Sequence, residues 1–193
     1  NNVAIGYEAL SPNTGSYQNV AVGNLAGKLL TTSDQNVLIG YAAGDAITSD
    51  SNQNVAVGVY SLSSIANYGV SNTAVGYGAM EAATSSNWNT AYGHTALKGS
   101  GLSSHSYNTA IGHSAGLDKQ GGGKNTMLGF KAGSEITSGD KNIFIGYGAA
   151  GANAWDANAG TEVSTGDNNI VIGADAQTSA SGATDQIVIG KGA

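Results

Sequence analysis

The chain has 193 residues, of which 30 are Gly and one is Pro; charged residues make up 10% and the net charge is −6. All seven basic residues are Lys, so no basic stripe or Arg fork is present to neutralise phosphates, which argues against nucleic-acid binding. Cys is absent, removing disulfides and thiolate metal sites, and no run of about 18 apolar residues exists to span a bilayer.

One phrase, Asn-(Val/Thr/Ile)-apolar-aliphatic-Gly, opens at Asn2 and returns along the whole chain. Its glycines are Gly6, Gly23, Gly40, Gly58, Gly76, Gly93, Gly112, Gly129, Gly146, Gly173 and Gly190, spaced 17, 17, 18, 18, 17, 19, 17, 17, 27 and 17 residues apart. Self-similarity at a near-constant period signals stacked coils, each burying the face of its neighbour. The expected fold is all-β, a parallel β-solenoid of about eleven coils forming one domain over residues 1–193. The chain begins and ends inside the phrase, so it is expected to be a segment of a longer protein.

With the glycine as position 0, positions −1 and −3 are mostly β-branched and share one face of a strand, because side chains alternate. That pair reads as the coil interior. Position −2 is Ala in six copies and Leu38, Met127, Phe144, Val171 and Val188 in the others. A strand apolar on both faces is covered on both faces. These five larger residues are therefore expected at a contact with other chains. The leading Asn is expected to form an amide ladder, and position +1 (Tyr7, Tyr41, Tyr77, His94, His113, Phe130, Tyr147) an aromatic stripe. The rest of each coil, as in Leu30-Thr31-Thr32 or Ile136-Thr137-Ser138, reads as a second, outward strand with one interior anchor.

The 27-residue spacing is a normal coil plus ten residues, an insertion near 150–159 holding Trp155 and Asp156. Insertions in repeat proteins form surface loops, often on the binding face. Trp155 and Asp156, with the off-phrase aromatics Trp88 and Tyr107, are the candidate receptor-binding residues. Tyr17 and Tyr68 are further aromatics outside the phrase.

Motifs of catalysis dissolve into the repeat. Gly112-His113-Ser114-Ala115-Gly116 matches a nucleophile elbow, yet the aligned Gly40-Tyr41-Ala42-Ala43-Gly44 shows that both glycines belong to the coil. Gly146-Tyr147-Gly148-Ala149-Ala150-Gly151 matches a dinucleotide fingerprint without a βαβ unit around it. His94 and His113 fall at equivalent positions and are weighed as a metal pair, but they read better as members of the aromatic stripe. The turn aspartates Asp34, Asp50, Asp140, Asp167 and Asp185 lack EF-hand spacing. No catalytic residue, metal site or cofactor is assigned.

The phrases Asn2-Val3-Ala4-Ile5-Gly6, Asn72-Thr73-Ala74-Val75-Gly76 and Asn108-Thr109-Ala110-Ile111-Gly112 resemble the head repeat of trimeric autotransporter adhesins, the YadA-like head. The longer Gly6-Tyr7-Glu8-Ala9-Leu10 is similar to repeats of phage tail fibres. That resemblance implies a left-handed β-roll assembled as a homotrimer. It also implies a non-enzymatic structural and adhesive role, in a virion tail fibre or on an extracellular cell surface, with a cell-surface receptor or glycan as partner. The alternative is the head domain of a bacterial adhesin binding host matrix or glycans. The repeat here is longer than the usual adhesin copy, so the outer half-coil is expected to be wider. A polysaccharide hydrolase would need clustered carboxylates, and Glu8, Glu81, Glu135 and Glu162 are scattered.

Overall fold

The computed structural model describes residues 1–66, 68–99, 105–151 and 165–192. Eleven three-residue strands run in chain order: β1 (Val3–Ile5), β2 (Val20–Val22), β3 (Val37–Ile39), β4 (Val55–Val57), β5 (Thr73–Val75), β6 (Thr90–Tyr92), β7 (Thr109–Ile111), β8 (Thr126–Leu128), β9 (Ile143–Ile145), β10 (Ile170–Ile172) and β11 (Ile187–Ile189). They form one parallel sheet in sequential order, a β-solenoid of about ten turns. The register is strict, position for position, as in Val55↔Thr73, Ala56↔Ala74 and Val57↔Val75. The β9–β10 pair keeps it across the 27-residue spacing.

Two residue columns lock this register. The first is the leading Asn, buried from Asn19 to Asn169. Each Oδ1 accepts the backbone N–H of the next Asn at 2.8–3.1 Å. The same oxygen accepts the next Nδ2–H, as between Asn89 and Asn72 at 3.0 Å. The other Nδ2 hydrogen crosses the coil to the carbonyl at position −7, as from Asn72 to Ser86 at 2.7 Å. The expected ladder is present and saturates the amide.

The second column is the phrase glycine. From Gly6 to Gly190 these residues adopt φ between 134° and 150°, a region closed to L side chains. An added Cβ at Gly93 would lie 2.3 Å from the Gly112 carbonyl oxygen. The coil turns away after it through a Gly-carbonyl to Ala N–H bond, such as Ala96 to Gly93 at 3.3 Å.

The faces of the strands are the reverse of the sequence expectation. Position −2 points into the coil: Ala21, Ala56, Ala74, Ala91 and Ala110 are fully buried within the single chain. Leu38, Met127, Phe144 and Val171 are likewise fully buried, and Val188 packs against the same core. The expectation that these five contact other chains is thus corrected. A three-residue strand offers one side chain to one face and two to the other, and the thin coil interior takes the one. The two outward rows carry mostly β-branched residues, with Ile5 60%, Ile39 38% and Ile111 40% exposed.

Positions −2 and +4 of neighbouring coils share the core. Coils with Ala4, Ala56, Ala74 and Ala91 carry Leu10, Leu62, Met80 and Leu97 at +4. Gly at +4 makes room for large −2 side chains of its own or the following coil: a Cβ at Gly44 would lie 2.8 Å from a Leu38 methyl, and one at Gly133 2.7 Å from the Phe144 ring. The Phe144 and Val171 coils themselves carry Ala150 and Gln177 at +4. The anchors Leu30, Ile47, Ile65 and Ile136 close the far side, fully buried as expected; Val163 lies outside the described residues. The second strand expected there is replaced by turns. These turns still bond coil to coil, as Thr31 N–H to the Thr48 carbonyl at 3.0 Å and its hydroxyl to the same oxygen at 2.9 Å.

Substituting Asn72→Ala strands the Asn89 backbone N–H, the Asn89 amide and the Ser86 carbonyl, at about 1–3 kcal/mol for each group left unpaired. Gly93→Ala adds a forbidden φ to a backbone clash and should cost about 3 kcal/mol or more. Gly15→Ala, with no neighbour within 4 Å, is the control and should stay within about 0.5 kcal/mol of the parent. Urea unfolding at fixed protein concentration separates the three; equal midpoints for Gly93→Ala and Gly15→Ala would overturn the glycine column's role.

Candidate functional site

Because the register is strict, each position of the coil becomes a straight stripe along the rod. The stripe at −5 reads Asn1, Gln18, Gln35, Gln53, Ser71, Trp88, Tyr107, Lys124, Lys141, Asn168 and Asp185. From Gln18 onward every member has φ between 54° and 62°. This left-handed corner throws the side chain outward, whatever its type. Trp88 and Tyr107, two of the candidate binding residues, are therefore adjacent on the stripe. Their rings stack at 4.9 Å with 12° between planes and stay half exposed. Trp155 and Asp156 lie outside the described residues.

Beside this stripe, position −6 holds a second side-chain ladder. Asp34 accepts the Tyr17 N–H at 2.6 Å, Asn52 the Asp34 N–H at 2.6 Å, and Asn87 the Val70 N–H at 2.7 Å. Asp167 accepts from Asp140 in the same way at 2.7 Å. Asp34 and Asp167 thus hold backbone amides of the preceding coil.

Stripes −5 and −6 together line a groove of about 680 Å³ running from Asn1 and Tyr17 past Gln18, Gln35, Gln53 and Ser71 to Trp88. Sequence reasoning singled out Trp88 and Tyr17 but missed the glutamines. Their signal was positional: three copies of Gln at one place in three consecutive coils.

The +1 stripe forms a continuous stack of five rings: Tyr77, His94, His113, Phe130 and Tyr147, with centroids 4.8–5.3 Å apart. The His94 and His113 planes are 5° from parallel at 4.8 Å. Equivalent nitrogens so separated exceed the reach of one ion needing about 2.0–2.1 Å to each. Ser114 is buried, with its hydroxyl 2.9 Å from His113 Nδ1 and 3.0 Å from Thr95 Oγ1. Its place in the glycine-flanked phrase is that of a coil corner at φ 55°.

One coil carries ionisable groups inside. Lys119 takes the anchor position filled elsewhere by Leu30 or Ile136, and its Nζ donates to the Gly139 carbonyl at 2.8 Å. Burial pushes its ammonium down to about 8, against the pull of Asp140 and Asp167. His105 sits at position −7, where other coils carry Ser33, Ser51 or Ser86; both ring nitrogens are buried without a partner. Burial, with the Lys119 charge adding, pushes it down to about 4.

Comparison with family models, with curated proteins and with solved structures returned no match. The functional reading therefore rests on the chain's own surface.

A pH dependence follows from the buried pair. Unfolded His protonates near 6.5, so between about pH 6.5 and 4 the unfolded chain binds more protons and stability falls as pH drops, by on the order of 3 kcal/mol. Unfolded Lys stays protonated to about 10.4, so stability rises as pH climbs from about 8 to that value. His105→Ser installs the residue typical of its column. It should flatten the acid limb and leave the alkaline one. Thermal midpoints of both proteins across pH 4–10 test this; a constant difference between them over pH 4–6.5 refutes it.

Proposed function

We propose that this chain is a non-enzymatic structural and adhesive segment of a phage tail fibre, built as a left-handed trimeric rod with a host-receptor binding surface. The observation that carries the reading is the outer face of the sheet. All-parallel sheets are covered on both faces in stable proteins. Here the coil core covers one face, while the other presents Val20, Val22, Val55, Val57, Val75, Ile111, Ile145 and Ile172 along the rod, each partly or largely exposed. At usual strand dimensions that face spans on the order of 500 Å², at the upper end of what a monomer leaves bare.

Other copies of the same chain are the fitting cover. A straight stripe of aliphatic residues at constant spacing matches another such stripe, and the resemblance to trimeric heads supplies the number three. The contact belongs to positions −1 and −3. A rod stiffened by hydrogen bonds at every coil suits a spacer, and outward stripes of aromatic and polar groups suit attachment.

Light scattering of the purified protein should give three times the 19.1 kDa chain, about 57 kDa. Val57→Asp combined with Ile111→Asp places charges on the outer face and should reduce the mass to one chain while circular dichroism keeps its β signal. A wild-type monomer at micromolar concentration would sink the proposal. Labelled trimer binding to bacterial cells tests the adhesive half separately.

A further inference from the structure

We infer that the groove between Tyr17 and Trp88 is a binding subsite for a neutral, extended glycan chain. The inference rests on the adhesive half of the proposed function and names its ligand class. Four observations support it.

The groove's floor is an amide ladder. Gln35 Nε2 donates to Gln18 Oε1 at 3.2 Å, Gln53 Nε2 to Gln35 Oε1 at 3.2 Å, and the Ser71 hydroxyl to Gln53 Oε1 at 3.2 Å. A primary amide has two donor hydrogens and two acceptor lone pairs. The ladder orients each amide while leaving Gln35 an N–H and a lone pair for an outside partner. Paired donors and acceptors on a fixed plane are what vicinal hydroxyls require.

Both ends are aromatic. Tyr17 stands 61% exposed at one end and Trp88 50% exposed at the other, backed by the stacked Tyr107. Broad apolar ring faces beside polar groups match the CH faces of pyranose rings. Four coil steps separate the two aromatics, about 20 Å at the usual strand spacing. The coil step is close to the rise of one pyranose in an extended chain, so successive rings would meet successive amides.

Charge selects against anions. No Lys lines the groove, and its one carboxylate, Asp34, is tied to the Tyr17 N–H. The lysines of the same stripe, Lys124 and Lys141, come only beyond Tyr107. Acidic glycans and nucleic-acid strands are therefore disfavoured over neutral ones.

Volume also fits. About 680 Å³ lies in the range of small-ligand sites, and the floor is formed by the ladder before any ligand arrives.

The test uses substitutions that the stripes already carry, so the corners keep residues they tolerate: Trp88→Gln as at Gln35, Gln35→Ser as at Ser71, and Tyr17→Asn as at Asn52. The parent protein is applied to an array of neutral and acidic oligosaccharides, and hits are titrated by calorimetry. Neutral glycans should bind, and Trp88→Gln should weaken them at least tenfold, Gln35→Ser and Tyr17→Asn several-fold, with mass and circular dichroism unchanged. Absence of any neutral glycan hit, or binding insensitive to all three changes, overturns the subsite. Hits confined to acidic glycans overturn it too and point to Lys124 and Lys141. A fall in mass for Trp88→Gln means that the groove is a contact between copies, which also overturns it. Loss of the subsite with a three-chain wild-type mass leaves the fibre reading standing, whereas a wild-type monomer removes the fibre reading whatever the array shows.

Discussion

The structure depends on one constraint: each coil must present the same group at the same height as the coil before it. The buried Asn column enforces this. Its amide does three things at once, accepting the next backbone N–H, accepting the next amide N–H, and tying the opposite wall of the coil through a carbonyl, as Asn125 does at the Gly139 oxygen. Asp would lose the donor and bury a charge; Gln is one methylene too long. Gln186 illustrates the second point. Its backbone N–H still meets Asn169 Oδ1 at 3.1 Å, but its amide leaves the column and bonds to Ser179. A coil displaced by one residue would bury a peptide edge without its partner, which costs more than a typical hydrogen bond contributes. Register is thus fixed locally, at every step.

Given that register, packing is solved between neighbouring coils. A thin interior close-packed to ordinary protein density cannot average a large residue over distant neighbours. Leu10, Leu62, Met80 and Leu97 at +4 accompany −2 alanines, while Gly27 and Gly116 yield to the Leu38 and Met127 side chains of the following coil. Gly27 and Gly44 both make way for Leu38, so compensation also reaches the coil before. Lys119 shows how far the layer can be stretched. Gly122 leaves the space in which its Nζ lies, 2.8 Å from where a Cβ would be, and Gly139 supplies the acceptor. The cost appears as depressed proton affinity in Lys119 and His105.

The repeat, the strands, the amide ladder and the aromatic stripe were legible because each is a period in the sequence. The sidedness of the strands was not. Both faces of a three-residue strand are apolar here, and β-branching marks strand, not interior. The signal lay in size: Ala in six of eleven copies at −2 marks the face where walls approach. The corners were hidden for a different reason. Left-handed residues are usually sought as Gly or Asn, yet Gln53, Trp88, Tyr60 and Lys131 hold that conformation because the ladders over-determine it. The groove was hidden because each coil contributes only a residue or two, so no local motif spells it. Nothing in the repeat pointed to Lys119, because charged side chains are rarely fully buried.

The same geometry bears on what kind of chemistry the surface favours. Catalysis and metal binding need groups that converge on one point from several directions. Stripes in strict register project side chains in parallel, a strand spacing apart, as the His94–His113 stack does. Such a surface is poor at surrounding an atom and good at matching a partner that itself repeats at a similar spacing. The proposed contact between copies uses the outer aliphatic rows in this way, and the proposed glycan subsite uses the Gln18–Gln35–Gln53 floor. Because −5 side chains project from corners whose backbone is fixed by the neighbouring ladders, their identity can change from amide to aromatic to lysine along one rod without disturbing the core. Recognition is then set by the order of residues in a stripe, while the fold is set by Asn and Gly.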